Sequence, residues 1–212
     1  MRAAVTLIHC DPWFDLEVRT LPSKVYARLA SANGVAPAEI EATYGTLRRE
    51  IMAHGNELDA VDGTQETFRR LEIPADRAEI TAIVDDLFRE LVDDSHPVQG
   101  APELLAALSE LGIPMGIVSS AVHHDFLRWC LERHGMDRYL TTIITSASAG
   151  YYKSNPEIYR IALRSIDADP RQSVHIGDSF RFDHLSSRQI GMATVWLNAD
   201  QVPIPPSEPQ PD

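Results

Sequence analysis

The sequence predicts an α/β fold, a doubly wound parallel sheet with an inserted all-helical region. Near-continuous apolar, β-rich runs alternate with helical patterns, which is typical of a parallel sheet covered by helices on both faces. The long stretch between the first two runs shows helical periodicity and no strand pattern. A chain of 212 residues, 44% of them hydrophobic, is long enough for one such domain and its insertion.

The elements follow one another in a regular order. The predicted strands are residues 3–10, 114–119, 141–146, 173–177 and 193–197. One core helix is predicted at 101–111, with Pro102 in its first turn and Gly112 at its end, and another at 156–166. The helices predicted for the insertion are residues 22–33, 37–54, 64–71 and 76–93.

These elements predict a domain organisation. We expect residues 1–16 and 96–200 to form the α/β core and residues 17–95 to form a helical cap. An insertion after the first strand lies over the carboxyl ends of the strands, where ligands bind in open sheets. It is therefore expected to exclude water from a site, although a helical subdomain with no gating role fits the same pattern. The proline-rich residues 201–212 are predicted to be a disordered tail.

Composition and charge exclude several classes of function. A net charge of −12 argues against nucleic acid as a partner, because Lys and Arg must neutralise phosphates. No apolar run approaches the roughly 20 residues of a membrane span, and no leader segment precedes the first strand. The two cysteines form no disulfide framework, which favours a reducing cytoplasm. We expect a small-molecule substrate or ligand, and the features are compatible with a homodimer.

Two acids near the C-terminus form a candidate metal site. The strand at 173–177 ends in a glycine turn followed by Asp178, and Asp183 comes five residues later. Carboxylates at the end of a strand are suitable ligands for Mg²⁺, which takes one or two of them together with waters. Alternatively, Asp178 caps a helix and Asp183 is a solvated acid at the start of a helix near His184.

The segments around residues 111–121, 150–159 and 177–183 resemble three of the four motifs of the haloacid dehalogenase superfamily, in the branch with a helical cap. The resemblance implies that Ser119 donates a hydrogen bond to a transferring phosphoryl group. It implies that Lys153 pairs with a nucleophile and phosphate, although Ser154 replaces the usual proline. It implies that Asp178 and Asp183 hold Mg²⁺, in a site weakened where the first motif departs from the family.

The first motif departs from the family pattern, in which two aspartates follow an apolar strand. One register places Ile8 at the nucleophile position and Cys10 at the second aspartate, which leaves no carboxylate to form an aspartyl-phosphate. The other register makes Asp11 the nucleophile, with Trp13 where the second acid belongs. A slip of three residues changes the face of the strand on which each side chain lies.

The remaining groups allow three functions. In the first, the pocket binds or transforms a small molecule without phosphoaspartyl chemistry; a Cys10 thiolate, favoured by Lys153, is then a candidate nucleophile, although Cys10 also fits as a small buried hydrophobic residue. In the second, the protein is a divergent Mg²⁺-dependent hydrolase that uses Asp11. In the third, it is a non-catalytic partner or regulator. The pocket residues we expect besides these are Trp13, Phe14, Ser120, His123 and Tyr152.

Overall fold

The structure is a computed structural model that describes residues 20–29, 34–198, 201, 203–204 and 207–211. The strand predicted at residues 3–10 lies outside these ranges. Across the described residues, no helix combines the length and the apolar character needed to cross a lipid bilayer.

The first four helices of the described residues lie before residue 93, and we call them the helical region. Their bounds are α1 Leu21–Leu29, α2 Pro37–His54, α3 Ala60–Arg70 and α4 Arg77–Val92. Local sequence sets their ends: α2 begins with a proline, which needs no hydrogen-bond partner there, and ends at Gly55 with φ of 75°. Side chains of Asp59 and Asp76 cap α3 and α4 by accepting backbone N–H groups.

The α/β part follows, with short strands that pair in parallel. Its elements are α5 Ala101–Glu110, β1 Gly116–Ser119, α6 His124–Arg133, β2 Thr142–Thr145, α7 Ser146–Ala149, α8 Glu157–Ser165, β3 Val174–Gly177, a π-helix Phe180–Ser186 and β4 Ala193–Trp196. In the part of the chain that the structure describes, β1 pairs with β2 and β3 pairs with β4, with Gly116 opposite Thr142 and Val174 opposite Ala193.

Successive residues of β1 pack on opposite layers, as a doubly wound sheet requires. Ile117 belongs to an apolar cluster with α5 and α6, whereas Val118 belongs to a cluster with α8. Both side chains are buried. Because side chains alternate along a strand, helices must cover both faces of this sheet. The predicted fold class is therefore confirmed.

Two predicted helix starts lie about four residues from those of the structure. Helix α3 begins at Ala60, four residues before the predicted start, because Asp59 accepts a hydrogen bond from Asp62 N at 2.7 Å. The helix expected near His184 begins instead at Phe180, where Ser179 caps it.

The predicted tail contacts the core at Pro209. The carbonyl oxygen of Pro209 lies 2.8 Å from Nε2 of the buried His184.

The helical region and the α/β part share one apolar cluster. Its buried members include Ile80, Val84 and Phe88 of α4 together with Val122 and Phe126 at the start of α6. A backbone hydrogen bond from Ala60 N to Val122 O, 2.7 Å long, lies in the same contact. The helical region is thus packed against the loop that follows β1.

Candidate active site

The candidate site combines residues that follow three different strands. Ser119 is the last residue of β1 and lies opposite Thr145 of β2. Lys153 follows α7, and Asp178 directly follows β3. Ligands of open parallel sheets bind at such carboxyl ends. That Ser119, Lys153 and Asp178 line one pocket stays a prediction.

Lys153 and Asp183 form a buried ion pair. Lys153 Nζ lies 2.6 Å from Asp183 Oδ1, and the two residues expose 8% and 2% of their surface. The interpretation of Asp183 as a solvated acid is therefore wrong, because its carboxylate faces inward and is neutralised by the ammonium group. Removing one partner of a buried pair leaves an uncompensated charge, which costs about 3–5 kcal/mol.

Two further groups hold the Asp183 carboxylate. His175 Nε2 lies 3.1 Å from Oδ1, and Ser179 N donates to Oδ2 over 2.9 Å. Because an ionised carboxylate only accepts hydrogen bonds, the His175 ring donates through Nε2. Gly177 leaves the space for this arrangement, since a Cβ at that position would lie 2.5 Å from Asp183 Oδ2.

The electrostatics favour an ionised Asp183. Burial by itself acts to raise the pKa of the Asp183 carboxyl, but the Lys153 charge and the His175 hydrogen bond outweigh it and lower that pKa below its ordinary value. For the fully enclosed His175, burial is the largest influence and lowers the pKa, which favours the neutral imidazole. The site thus holds one cation and one anion that neutralise each other.

Tyr159 of α8 contacts both His175 and the residue before Asp183. Its hydroxyl donates to Phe182 O over 2.5 Å, and its ring meets the His175 ring edge-on with centroids 5.0 Å apart. Burial, followed by the Asp183 charge, raises the pKa of Tyr159 well above its ordinary value, so the hydroxyl stays protonated and available as a donor. The residue before Asp183 is thereby fixed.

Asp178 has a different environment from Asp183. It is exposed at the end of β3, and its carbonyl accepts a 2.7 Å hydrogen bond from Trp196 Nε1. Asp183 Oδ1 already accepts from two donors and Oδ2 from one, which leaves little capacity for a metal ion. The metal-binding role of both acids stays a prediction. Within the described ranges, no cluster of three or more His, Cys, Asp or Glu side chains has the geometry of a metal site.

Of the expected pocket residues, Ser120 is half-buried just after β1. His123 Nδ1 accepts from Phe126 N and Nε2 lies 2.8 Å from Asp85 Oδ1, so both of its ring nitrogens are engaged. His123 also borders an open cleft of about 310 Å³ between the helical region and the start of α6. Tyr152 meets the ring of Phe182 edge-on, with centroids 5.2 Å apart.

Five predicted site residues lie outside the described residues. They are Ile8, Cys10, Asp11, Trp13 and Phe14. The two registers of the first motif, and the thiol alternative at Cys10, therefore stay predictions.

Sequence reasoning missed two groups of the site. His175 was assigned only to the predicted strand at residues 173–177, but it is buried and its ring nitrogen also contacts Asp183. Gly177 was interpreted only as part of a turn. A signal was present for both, because residues two apart on a strand share a face and a strand glycine marks a close approach.

The fold and the site define an α/β protein of the doubly wound class with a buried lysine–aspartate pair beyond its strands. The chain belongs to the haloacid dehalogenase-like hydrolase family, whose sequence model matches residues 33–197. The matched range begins after the first motif.

Among known proteins, the chain is 26% identical over 193 residues to glyceraldehyde 3-phosphate phosphatase of Pyrococcus abyssi, covering 87% of this chain and 79% of that protein. It is 28% identical over 149 residues to haloacid dehalogenase-like hydrolase domain-containing protein 3 of Bos taurus, covering 69% of this chain and only 58% of that protein. The 2-haloacid dehalogenase of Pseudomonas syringae pv. tomato shares the fold, with a TM-score of 0.66, 18% identity, and 96% and 90% of the two chains covered.

Proposed function

We propose that this protein is a Mg²⁺-dependent hydrolase of small phosphate monoesters, with Asp11 as its nucleophile. The observation that carries the proposal is the buried Lys153–Asp183 pair, which holds an ammonium group beyond the strand ends. The similarity to a phosphatase supports the same reaction class. This was the second of the three functions considered from the sequence, and it now has more support than a pocket without phosphoaspartyl chemistry.

Each residue has a role in this proposal. An Asp11 carboxylate oxygen forms a bond to phosphorus while the bond to the leaving oxygen breaks, and water then hydrolyses the aspartyl-phosphate to release phosphate and restore Asp11. The Lys153 ammonium group pairs with the nucleophile and with phosphate oxygens, and Ser119 donates a hydrogen bond to the phosphoryl group. Asp183 holds Lys153 in place, with His175 as its second partner.

Asp178 is the residue that we propose as the Mg²⁺ ligand. The ion needs few protein carboxylates, because waters and substrate phosphate complete its octahedron. An exposed carboxylate at the end of β3 fits this requirement. When bound, Mg²⁺ supplies positive charge that stabilises the transferring phosphoryl group.

The helical region is proposed to act as the cap. It packs against the loop after β1 and against the segment that carries Lys153. Both follow the carboxyl ends of strands, where ligands bind in open parallel sheets. We propose that the substrate pocket lies beneath it, with Ser120 and Tyr152 among its walls. A cytoplasmic location and a small-molecule substrate complete the proposal.

The test is phosphatase activity of the full chain on p-nitrophenyl phosphate and on glyceraldehyde 3-phosphate, with Mg²⁺ and with EDTA. We expect Mg²⁺-dependent turnover that Asp11→Asn and Asp178→Asn abolish, whereas Cys10→Ala and the exposed Asp125→Asn retain it. Turnover that survives Asp11→Asn but is lost in Cys10→Ala would assign the reaction to the thiol. A folded protein with no turnover on either substrate would overturn the proposal.

A further inference from the structure

The segment that carries Lys153 is hydrogen-bonded to the helical region on both sides of the lysine. Before it, Glu57 N donates to Gly150 O over 2.9 Å and Tyr152 N donates to Gly55 O over 3.0 Å. After it, Ser154 Oγ donates to Met52 O over 3.0 Å. The backbone around Lys153 is therefore held by the end of α2 and the segment that follows it.

A buried ion pair fixes the segment that follows α2, residues 55–58. Arg48 of α2 donates through both terminal nitrogens to the Glu57 carboxylate, one of these bonds being 3.1 Å long. The Glu57 side chain is fully buried, and its Oε1 also accepts from Leu58 N. Bidentate pairs of arginine and carboxylate fix geometry as well as charge. Arg48 thus determines where the backbone at residues 55–58 lies.

Arg48 also reaches the residue next to the lysine. Its guanidinium carbon lies 5.7 Å from the centre of the Tyr152 ring, within the range of a cation–π contact. Tyr152 packs with Tyr44, Leu47 and Ile51, in a cluster that also contains Phe182. Tyr152 precedes Lys153 and Phe182 precedes Asp183, so a single apolar contact supports both members of the buried pair.

We propose that Arg48 is a positioning residue of the active site, which acts from the helical region through Glu57 and Tyr152 to hold Lys153 against Asp183. The kinetic part of this inference rests on the proposed function. Arg48 commits its two terminal nitrogens to Glu57, so its role is to hold the chain and not to bind substrate. Without Arg48, a buried carboxylate at Glu57 loses its counter-charge, and the segment that pairs with residues 150–152 must move to reach water.

The first test uses the two lysines of the chain, Lys24 and Lys153. Full-length protein labelled with ¹⁵N-lysine gives two backbone amide signals, of which Lys24 is an internal control. We expect Arg48→Met to shift the Lys153 signal and to speed its hydrogen exchange about tenfold, while the Lys24 signal stays in place.

A second arginine–glutamate pair that involves α2 provides the matched control. Arg70 donates to both Glu50 oxygens, over 3.2 and 2.8 Å, and links α3 to α2 at an exposed position. We expect Arg70→Met to leave both lysine signals unchanged. Equal effects of Arg48→Met and Arg70→Met, or no effect of either on Lys153, would overturn the inference.

The kinetic arm separates positioning from general destabilisation. We expect Arg48→Met to lower kcat about tenfold with little change in KM, because Lys153 is misplaced while the pocket remains. Arg48→Lys should recover part of kcat, since lysine keeps the charge but not the bidentate geometry. A raised KM with unchanged kcat would assign Arg48 to substrate binding instead.

One further variant keeps the outcome decisive. If Arg48→Met does not fold, the double variant Arg48→Met, Glu57→Met removes both buried charges and should fold with a displaced Lys153 signal. An unshifted signal in that variant would contradict the inference. If wild-type protein shows no phosphatase activity, the proposed function fails, and the amide signals still decide whether Arg48 positions Lys153.

Discussion

Lys153 Nζ lies 2.6 Å from Asp183 Oδ1, although thirty positions separate the two residues in the chain. The lysine belongs to a loop that is bound to the helical region, and the aspartate belongs to a π-helix that follows β3. Both members of the ion pair therefore lie in the α/β part, and the backbone hydrogen bonds of the lysine segment connect the pair to the helical region. We therefore expect a change in the contact between the helical region and the lysine segment to displace Lys153 relative to Asp183.

The first prediction concerns the stability of the pair. Lys153→Met leaves the Asp183 carboxylate buried with only neutral donors, so we expect a loss of about 3–5 kcal/mol in the free energy of unfolding. Urea denaturation measures this change. Lys24→Met is the matched control, because Lys24 lies in α1 and is partly exposed. Equal stability losses in the two variants would contradict the assignment of a special role to the buried pair.

The second prediction concerns Gly177. An added methyl group would meet the Asp183 carboxylate at 2.5 Å, so we expect Gly177→Ala to destabilise the protein by about 1–3 kcal/mol and to displace Asp183. Gly45→Ala is the opposite case. Gly45 lies inside α2, with its nearest neighbour 3.6 Å from the new Cβ, and we expect this change to stabilise the protein by about 0.5–1 kcal/mol. Thermal unfolding of both variants distinguishes the two effects.

The third prediction concerns the leaving group. With Asp11 as nucleophile, Trp13 stands where a second acid would protonate the leaving oxygen. A general acid contributes about 10²–10⁴-fold to such a step, so its loss penalises poor leaving groups most. We expect kcat/KM to fall steeply as the leaving-group pKa rises through a series of aryl and alkyl phosphates. A flat series would indicate that another group of the protein supplies the proton.

The fourth prediction concerns the pH dependence of the salt bridges that Glu66 makes with Arg69 and Arg70 on α3. Hydrogen bonds from Arg69 and then Arg70 lower the pKa of Glu66 to about 2. Because the folded-state pKa lies below the unfolded value of 4.5, the stabilisation is complete above pH 4.5 and disappears as the pH falls towards 2. With solvent screening, we expect Glu66→Gln to cost about 0.5 kcal/mol at pH 7.

Urea unfolding of wild type and Glu66→Gln from pH 7 to pH 2 measures this dependence. The stability difference should shrink on acidification and vanish near pH 2. Arg69→Gln removes the partner with the larger effect and leaves the Arg70–Glu50 pair in place, so it should reproduce this pH dependence at a smaller magnitude. A difference that stays constant over this range would mean that Glu66 acts through packing and not through its charge.

Much of the fold was predictable because it depends on local patterns. Four of the five predicted strands are present within two residues of their expected ends, and α2 has its predicted bounds. Apolar runs, prolines at helix starts and glycines at helix ends act within a few residues, so they can be interpreted without knowing the rest of the chain. The start of α3 was misplaced because the capping role of Asp59 was overlooked.

The candidate site was predictable only in part. The motifs around Ser119, Lys153 and Asp178 could be identified from residue type and spacing. The different environments of Asp178 and Asp183 could not be predicted, because they depend on which carboxylate is buried beside Lys153 and His175. Spacing along a chain does not determine which of two nearby acids turns inward.

Short stretches of sequence were enough to predict the alternation of strands and helices, the family resemblance and the three motifs with their chemical groups, because these features depend on neighbouring residues. The folded chain was needed to show that Lys153 pairs with Asp183, that His175 is the second partner, and that Glu57, the partner of Arg48, bonds to the lysine segment at Gly150. Those contacts join residues far apart in the chain, and burial there makes each charge depend on its partner.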